Sequence, residues 1–242
     1  GPAGAGSALT ETILVDCATD SLQDAIDAAT AGIVTINVTG TCTEDLTISR
    51  SNIIIDGGLG STLVLSNSPG IHIFGASNIE ISDFTVTGGA NTSLVLDDAQ
   101  VSLTDVDITT TGHDFFTAVV DHSKLKMNDS SIVHTTPADD ASALLVFNNS
   151  TLIINGGNTI STNGDEATAL VIVQSSAVTK GLDSTTSDTI SSTGLDGLGI
   201  LIEGASSAFF ITDSGVSITG GVEIIGGSYL LADAMDVTGG MS

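Results

Sequence analysis

The sequence predicts an all-β protein, a right-handed parallel β-helix (solenoid) with an N-terminal capping helix. Two observations carry the prediction. Apolar triplets recur every 22 to 30 residues: Ile71-His72-Ile73, Leu94-Val95-Leu96, Ala118-Val119-Val120, Leu144-Leu145-Val146, Leu170-Val171-Ile172, Ile200-Leu201-Ile202 and Val222-Glu223-Ile224. Self-similarity at this period marks stacked repeats rather than one central core. Only 3% of residues are aromatic and there is no Trp, while Gly, Ser, Thr, Asn and Asp abound. That composition favours short strands and tight turns.

The first segment, Gly1 to Gly6, reads either as a protease-cleavage remnant or as the last Gly-X-Y triplets of a collagen-like stalk. A stalk implies a homotrimer, because the collagen helix needs three chains. Residues 1–12 are therefore expected to be a linker or stalk end, and residues 13–242 one β-helix domain. No apolar run is long enough to cross a bilayer, so membrane insertion is not expected. No leader is recognisable either, and the chain reads as a mature fragment.

A short amphipathic helix is expected within Asp16 to Ala29, centred near 20–30. Leu22, Ala25, Ile26 and Ala29 fall on one face, Ser21 is the N-cap and Asp24 the acidic capping partner. A strand, Ile33 to Val38, follows. Cys17 and Cys42 flank the helix and are the only cysteines. A disulfide between them would staple the helix over the end of the stack and imply an oxidising, extracellular setting. The alternative is a pair of buried thiols.

These N-terminal residues resemble a known group. Cys17, Ser21-Leu22-Gln23-Asp24-Ala25-Ile26, the run from Val38 to Ile48 and Asn52-Ile53-Ile54-Ile55-Asp56-Gly57-Gly58 look like the start of secreted bacterial right-handed parallel β-helix proteins of the pectate-lyase-like superfamily. The resemblance covers residues 13 to 58, and beyond them only the repeat supports it. It implies that the first helix caps the coil. Some such proteins carry a collagen-like segment upstream, which implies the tip of a stalked surface fibre.

Each later rung reads as strand, turn, strand, turn, strand. Second segments are Ile79-Glu80-Ile81, Val101-Ser102-Leu103, Leu125-Lys126-Met127, Leu152-Ile153-Ile154, Phe209-Phe210-Ile211 and Tyr229-Leu230-Leu231. Third strands include Phe84-Thr85-Val86, Val106-Asp107-Ile108, Ile132-Val133 and Val216-Ser217-Ile218. Alternation puts one set of side chains inside the coil. About nine or ten rungs at ~4.8 Å would make a rod of roughly 45 Å. Residues 174 to 197 break the pattern and are expected to carry a protruding turn. A β-sandwich is the alternative fold, but the regular repeat argues against it.

Alignment of the rungs turns scattered acids into two columns. Asp83, Asp105, Asp129, Asp213 and Asp233 follow the second strands and fit turn corners. Asp114, Asp140, Glu166 and Asp196 stand four residues before the apolar triplets, with Asp139 and Asp165 beside them. Stacked carboxylates repel unless water or a cation lies between. Ca²⁺ at Asp114, Asp140 and Glu166 is the one cofactor such oxygen ligands would suit, although no EF-hand loop or Gly-Gly-x-Gly-x-Asp repeat is present. The bland reading is a solvated loop edge. His113, Phe115 and Phe116 lie on the same edge, where an exposed ring would offer a platform for a sugar or a partner chain. His122 and His134 are expected on the surface.

The formal charge is −25, with Arg50, Lys124, Lys126 and Lys180 the only Lys or Arg. Such a surface repels nucleic acid, anionic membranes and, without cations, acidic polysaccharides. Lyases of the resembled superfamily need a basic residue to take a proton and cations to offset substrate carboxylates. Four scattered basic residues make that hard. Its polygalacturonases share Asn-Thr-Asp, Asp-Asp, Gly-His-Gly and Arg-Ile-Lys elements. Here Asp97-Asp98 and Asp139-Asp140 exist, but Gly-His-Gly and Arg-x-Lys do not. The expectation is therefore a non-catalytic extracellular or cell-surface fibre tip or adhesin, binding a glycan or other surface ligand. The alternatives are a polysaccharide-degrading enzyme, hydrolase or lyase, and a purely structural rod. Fold alone does not choose among them.

Overall fold

Strand alternation places Val, Ile and Leu at every second position, and a coil is the arrangement that buries all of those positions at once. The computed structural model describes residues 9–88, 92–112, 116–136, 140–181, 186–210, 215–232 and 235–241. It is a parallel β-helix with three faces. Among the described residues every strand pairing is parallel, and one helix, α1 (Leu22–Ala28), precedes the regular coils. Gly1 to Gly6 lie outside the described residues, as do His113, Asp114, Phe115, Asp139, Asp213 and Asp233.

The first face contains the apolar triplets. Eight strands stack on it, from Leu46–Ile48 and Ile71–Phe74 to Val222–Ile224. Ile71 pairs with Leu94, Leu94 with Ala118, Ala118 with Leu144, Leu144 with Leu170, Leu170 with Ile200 and Ile200 with Val222. The sequence frame and the hydrogen-bonded register are thus the same frame. Leu46–Ile48 adds a rung that the triplets had not included.

In the early rungs one long strand bends across the second and third faces: Ile53–Leu65, Ile79–Gly88 and Gln100–Thr110. Asp83 and Asp105 sit at the bend with φ of 59° and 53°. Asp129 takes the same left-handed conformation in the next rung, where the bend separates Lys124–Asn128 from Ser131–His134. Asp tolerates this region because its short side chain bonds locally. At Asp83, Asp105 and Asp129 the first acidic column is therefore a corner column. Opposite Asp83 the preceding strand bulges between Asp56 and Ser61. Gly57 is required there, because a Cβ would lie 2.1 Å from the Asp83 carbonyl oxygen.

The coil starts earlier than the apolar run indicates. Strand β1 (Thr10–Asp16) pairs in parallel with β2 (Ile33–Thr39), Ile13 opposite Ile36. Helix α1 is shorter than the Asp16–Ala29 expectation, since Asp16 belongs to β1. Ser21 is the N-cap and its Oγ accepts the Asp24 N–H at 3.1 Å. The acidic capping partner is Glu44 rather than Asp24. Its carboxylate accepts from Ser21 Oγ and from the Leu22 and Gln23 N–H groups at 2.8–3.0 Å, and so meets the unpaired donors of the helix start. At the other end Arg50 donates to the Ala29 and Ala31 carbonyls. Cys17 and Cys42 form a disulfide, with Cα atoms 4.8 Å apart. Leu22 and Ile26 are buried over the coil.

Two polar ladders run inside the coil. The N–H groups of Ala99, Ser123, Ser150, Ser176 and Ser206 donate in turn to the Oγ atoms of Ser123, Ser150, Ser176, Ser206 and Ser228 at 2.8–3.2 Å. In the second ladder the Val106, Ser130 and Asn158 N–H groups donate to Ser130 Oγ, Asn158 Oδ1 and Asp188 Oδ1. Corners that cannot form strand pairs thereby satisfy their buried backbone donors.

Candidate functional site

Outward-facing side chains line up from rung to rung because the register does. On the second face, Glu80 pairs with Ser102 and Ser102 with Lys126, and Gln100 pairs with Lys124. Asn78 precedes Ile79, which pairs with Val101. Together Asn78, Glu80, Gln100, Ser102, Lys124 and Lys126 border a groove of about 190 Å³ floored by Ile79 and Val101. Glu80, Gln100 and Lys124 are exposed, and Ser102 and Lys126 half-buried.

The remaining basic side chains are spent elsewhere. Arg50 holds the end of α1. Lys180 points into the coil, where it meets Asp188 and the Thr186 carbonyl. Its side chain is 0% exposed and that of Asp188 1%. Among the described residues, the ammonium groups that face solvent with no carboxylate in ion-pair contact are therefore Lys124 and Lys126. Along the chain the basic residues are scattered. The fold gathers two of the four into one groove of a chain whose net charge is −25.

A second groove, of about 180 Å³, lies on the third face and is lined by Val133, His134, Thr135, Ser161, Thr162, Asn163, Ser191 and Thr193. His134 is the one titratable side chain among them, so the groove offers hydrogen bonds but no acid–base pair.

The acidic edge chosen from sequence is placed in part. Asp140, Glu166 and Asp196 occupy equivalent turns, with φ of 60°, 55° and 56°, and all are exposed. The turns stack by backbone bonds, Asp140 N–H to Asp165 O and Glu166 N–H to Leu195 O. Asp165 is used between turns, its Oδ1 accepting the N–H of Leu195 in the next rung at 2.7 Å. Phe116 is half-buried, whereas His113, Asp114, Phe115 and Asp139 lie outside the described residues. Among the described residues no group of three or more His, Cys, Asp or Glu side chains is arranged to hold a metal ion.

His134 departs from the surface expectation. It is 1% exposed, with Nδ1 3.2 Å from Thr117 Oγ1 and Nε2 2.9 Å from the Gly112 carbonyl oxygen. The inward register position of His134, opposite Thr110 and Thr162, explains its burial. His122 is exposed beside Asp121.

No protein-family model and no curated protein matches the sequence. Among solved structures the chain is similar to an alginate lyase from Paenibacillus sp. str. FPU-7, at 13% identity and a TM-score of 0.46, over 96% of this chain and 99% of that one. The expectation of a non-catalytic fibre tip or adhesin is corrected here. Two of the four basic residues whose scattering argued against catalysis share a groove.

Proposed function

We propose that the chain is a polysaccharide-degrading enzyme that takes an acidic polysaccharide into the groove bordered by Glu80, Lys124 and Lys126. One observation carries the reading: both solvent-facing ammonium groups of a strongly acidic chain stand two positions apart on one strand, beside Glu80, Gln100 and Ser102. On such a surface a local pair of positive charges selects a ligand that places a carboxylate between them.

The groove's chemistry favours elimination over hydrolysis. Glycoside hydrolysis commonly uses two carboxyl groups flanking the bond. The lining holds one carboxylate, Glu80, and two ammonium groups. In elimination from a uronate, the proton beside the sugar carboxylate goes to a base, a carbon–carbon double bond forms, and the glycosidic C–O bond breaks. The leaving oxygen then takes up a proton. Lys124 and Lys126 would offset the sugar carboxylate as charge develops on it. Glu80 is the carboxylate in the lining that can take the proton, and a lysine ammonium can return one to the leaving oxygen. Asn78, Gln100 and Ser102 would hold sugar hydroxyls.

The Cys17–Cys42 disulfide and the acidic surface support work outside the cell. The test is incubation with polyuronates and with neutral polysaccharides, followed by the ultraviolet absorbance of unsaturated ends and by reducing-end release. Absorbance rising with polyuronates supports the reading. Reducing ends without that absorbance would point to hydrolysis. No product from any polyuronate would remove the proposal.

A further inference from the structure

The face that holds the lysine groove continues for several rungs, and its far end carries an outward-facing aromatic pair. Lys126 pairs with Ile153, Ile153 with Thr179, Thr179 with Phe209 and Phe209 with Leu231. In the neighbouring outward column Lys124 is followed by Thr151, Ala177, Ser207 and Tyr229. Phe209 and Tyr229 meet edge to face, with ring centroids 5.4 Å apart and planes at 82°. Phe209 is half-buried and Tyr229 is 51% exposed. The adjacent Phe210 points inward and is fully buried, so Phe209 faces outward by strand alternation.

The path between the two ends is uncharged. Ile153, Thr179, Thr151 and Ala177 are all half-buried and project no ionisable group. Along its other side runs an amide pair in which Asn155 Nδ2 donates to Asn128 Oδ1 at 2.6 Å. From Lys126 to Phe209 is three strand spacings, ~14 Å. From Lys124 to Tyr229 is four, ~19 Å.

We propose that Phe209 and Tyr229 form a stacking subsite for a sugar ring of the same polysaccharide molecule that the lysine groove engages. The inference rests on the proposed function and adds the class of substrate, an extended acidic polysaccharide lying along the rod axis rather than a short oligosaccharide. A sugar presents a flat apolar C–H face and a rim of hydroxyls. Aromatic side chains that keep one face wet suit that combination. The lysines recognise the carboxylate and the rings recognise the pyranose face. A ligand must be several sugars long to reach both.

The chain supplies its own reporter, because Tyr229 is the only Tyr and there is no Trp. Tyrosine fluorescence thus reads this subsite alone. The experiment titrates the protein with size-graded oligogalacturonates and oligomannuronates, from dimer to polymer, while following tyrosine emission and, separately, calorimetric affinity. The expected result is an emission change with long oligomers and none with dimers. Phe209→Ala and Phe209→Leu, both checked by thermal melting, should bind polymer about tenfold more weakly, equivalent to ~1.4 kcal/mol, and leave dimer binding unchanged. Lys126→Ala should weaken both lengths.

Polymer binding that leaves Tyr229 emission and the Phe209 variants unaffected would overturn the stacking subsite while leaving the lysine groove intact. Loss of self-association in the Phe209 variants, with unchanged glycan affinity, would overturn it by assigning the rings to a contact between copies. Absence of binding by any uronate would sink this inference and the proposed function together.

Discussion

The ammonium of Lys180 is paired with the carboxylate of Asp188 inside the coil, at an inward position that neighbouring rungs fill with Ile154 and Phe210. Asp188 Oδ1 also accepts the N–H and side-chain amide of Asn158. The pair ties two stretches of one rung together and closes the second polar ladder. It also removes one of four cations from the surface, and with Arg50 held at the end of α1 it leaves Lys124 and Lys126 as the charge available to a ligand.

That burial has a stability consequence. Asp188→Ala takes the carboxylate from a buried ammonium and the acceptor from the Asn158 N–H, while the Asn158 side-chain amide keeps the Met127 and Gly156 carbonyls, and should destabilise by about 3–5 kcal/mol. Lys180→Met together with Asp188→Asn keeps an acceptor for Asn158 and removes both charges. The double variant should melt near the wild-type temperature, within a few degrees. Thermal or urea midpoints of the two variants check the difference.

The serine ladder makes a second prediction. Ser150 Oγ is the acceptor for the Ser123 N–H at 3.0 Å, and Ser150 is 1% exposed. Ser150→Ala leaves that donor buried without a partner, at a cost of about 1–3 kcal/mol. Ser131→Ala, on the outward third face, should shift the urea midpoint far less.

The cap region predicts a dependence on pH. Burial raises the pKa of Asp45, but hydrogen bonds from the Ser66 and Asn67 N–H groups and the Asn67 amide outweigh it and hold the carboxyl below its ordinary value. A depressed folded-state pKa stabilises the protein above the unfolded value, about 3.9. The stabilisation is lost as pH falls through the folded value. The melting temperature of the wild type should therefore exceed that of Asp45→Asn near neutrality. The gap should close as pH drops below about 3.9. A gap independent of pH would show that the charge of Asp45 does not matter.

Salt should act on catalysis with two signs. The net charge of −25 repels a polyuronate at long range, whereas Lys124 and Lys126 attract it at contact. Screening with a Debye length of about 8 Å at physiological ionic strength suppresses the first before the second. Activity on a polyuronate should rise from low salt to roughly 0.15 M and fall toward 1 M. Initial rates across that range test it. A monotonic fall would mean that the global charge has no influence.

The fold was legible because alternation and period act on the same residues. The triplets chosen by pattern occupy the observed register, as do the second segments as far as Leu152-Ile153-Ile154, but Phe209-Phe210-Ile211 and Tyr229-Leu230-Leu231 are one residue out of it, because Ala208 and Phe210 face inward and Phe209 outward. The groove was not legible for the same structural reason that makes it a groove. Lys124 and Lys126 meet Glu80 and Gln100 only through stacking, and counting basic residues along the chain hides what stacking gathers. Their outward positions in the aligned rungs were the available signal. Lys180 was hidden because an inward lysine breaks the apolar pattern, and only Asp188, at a corner eight residues on, explains it. Glu44 was missed as the helix cap because it lies beyond β2. The acidic edge was legible as a set of turns at Asp140, Glu166 and Asp196, whose left-handed backbone accounts for their recurrence.

The most direct measurement is the initial rate of unsaturated-product formation from a polyuronate, compared between the wild type and Lys124→Ala/Lys126→Ala. Thr159→Ala on the third face serves as the control. The account predicts product from the wild type and the control, a loss of about a hundredfold or more in the double variant, ~2.7 kcal/mol in transition-state stabilisation, and unchanged melting temperatures. Equal rates in the wild type and the lysine variant, or product from neutral polysaccharides alone, would contradict it.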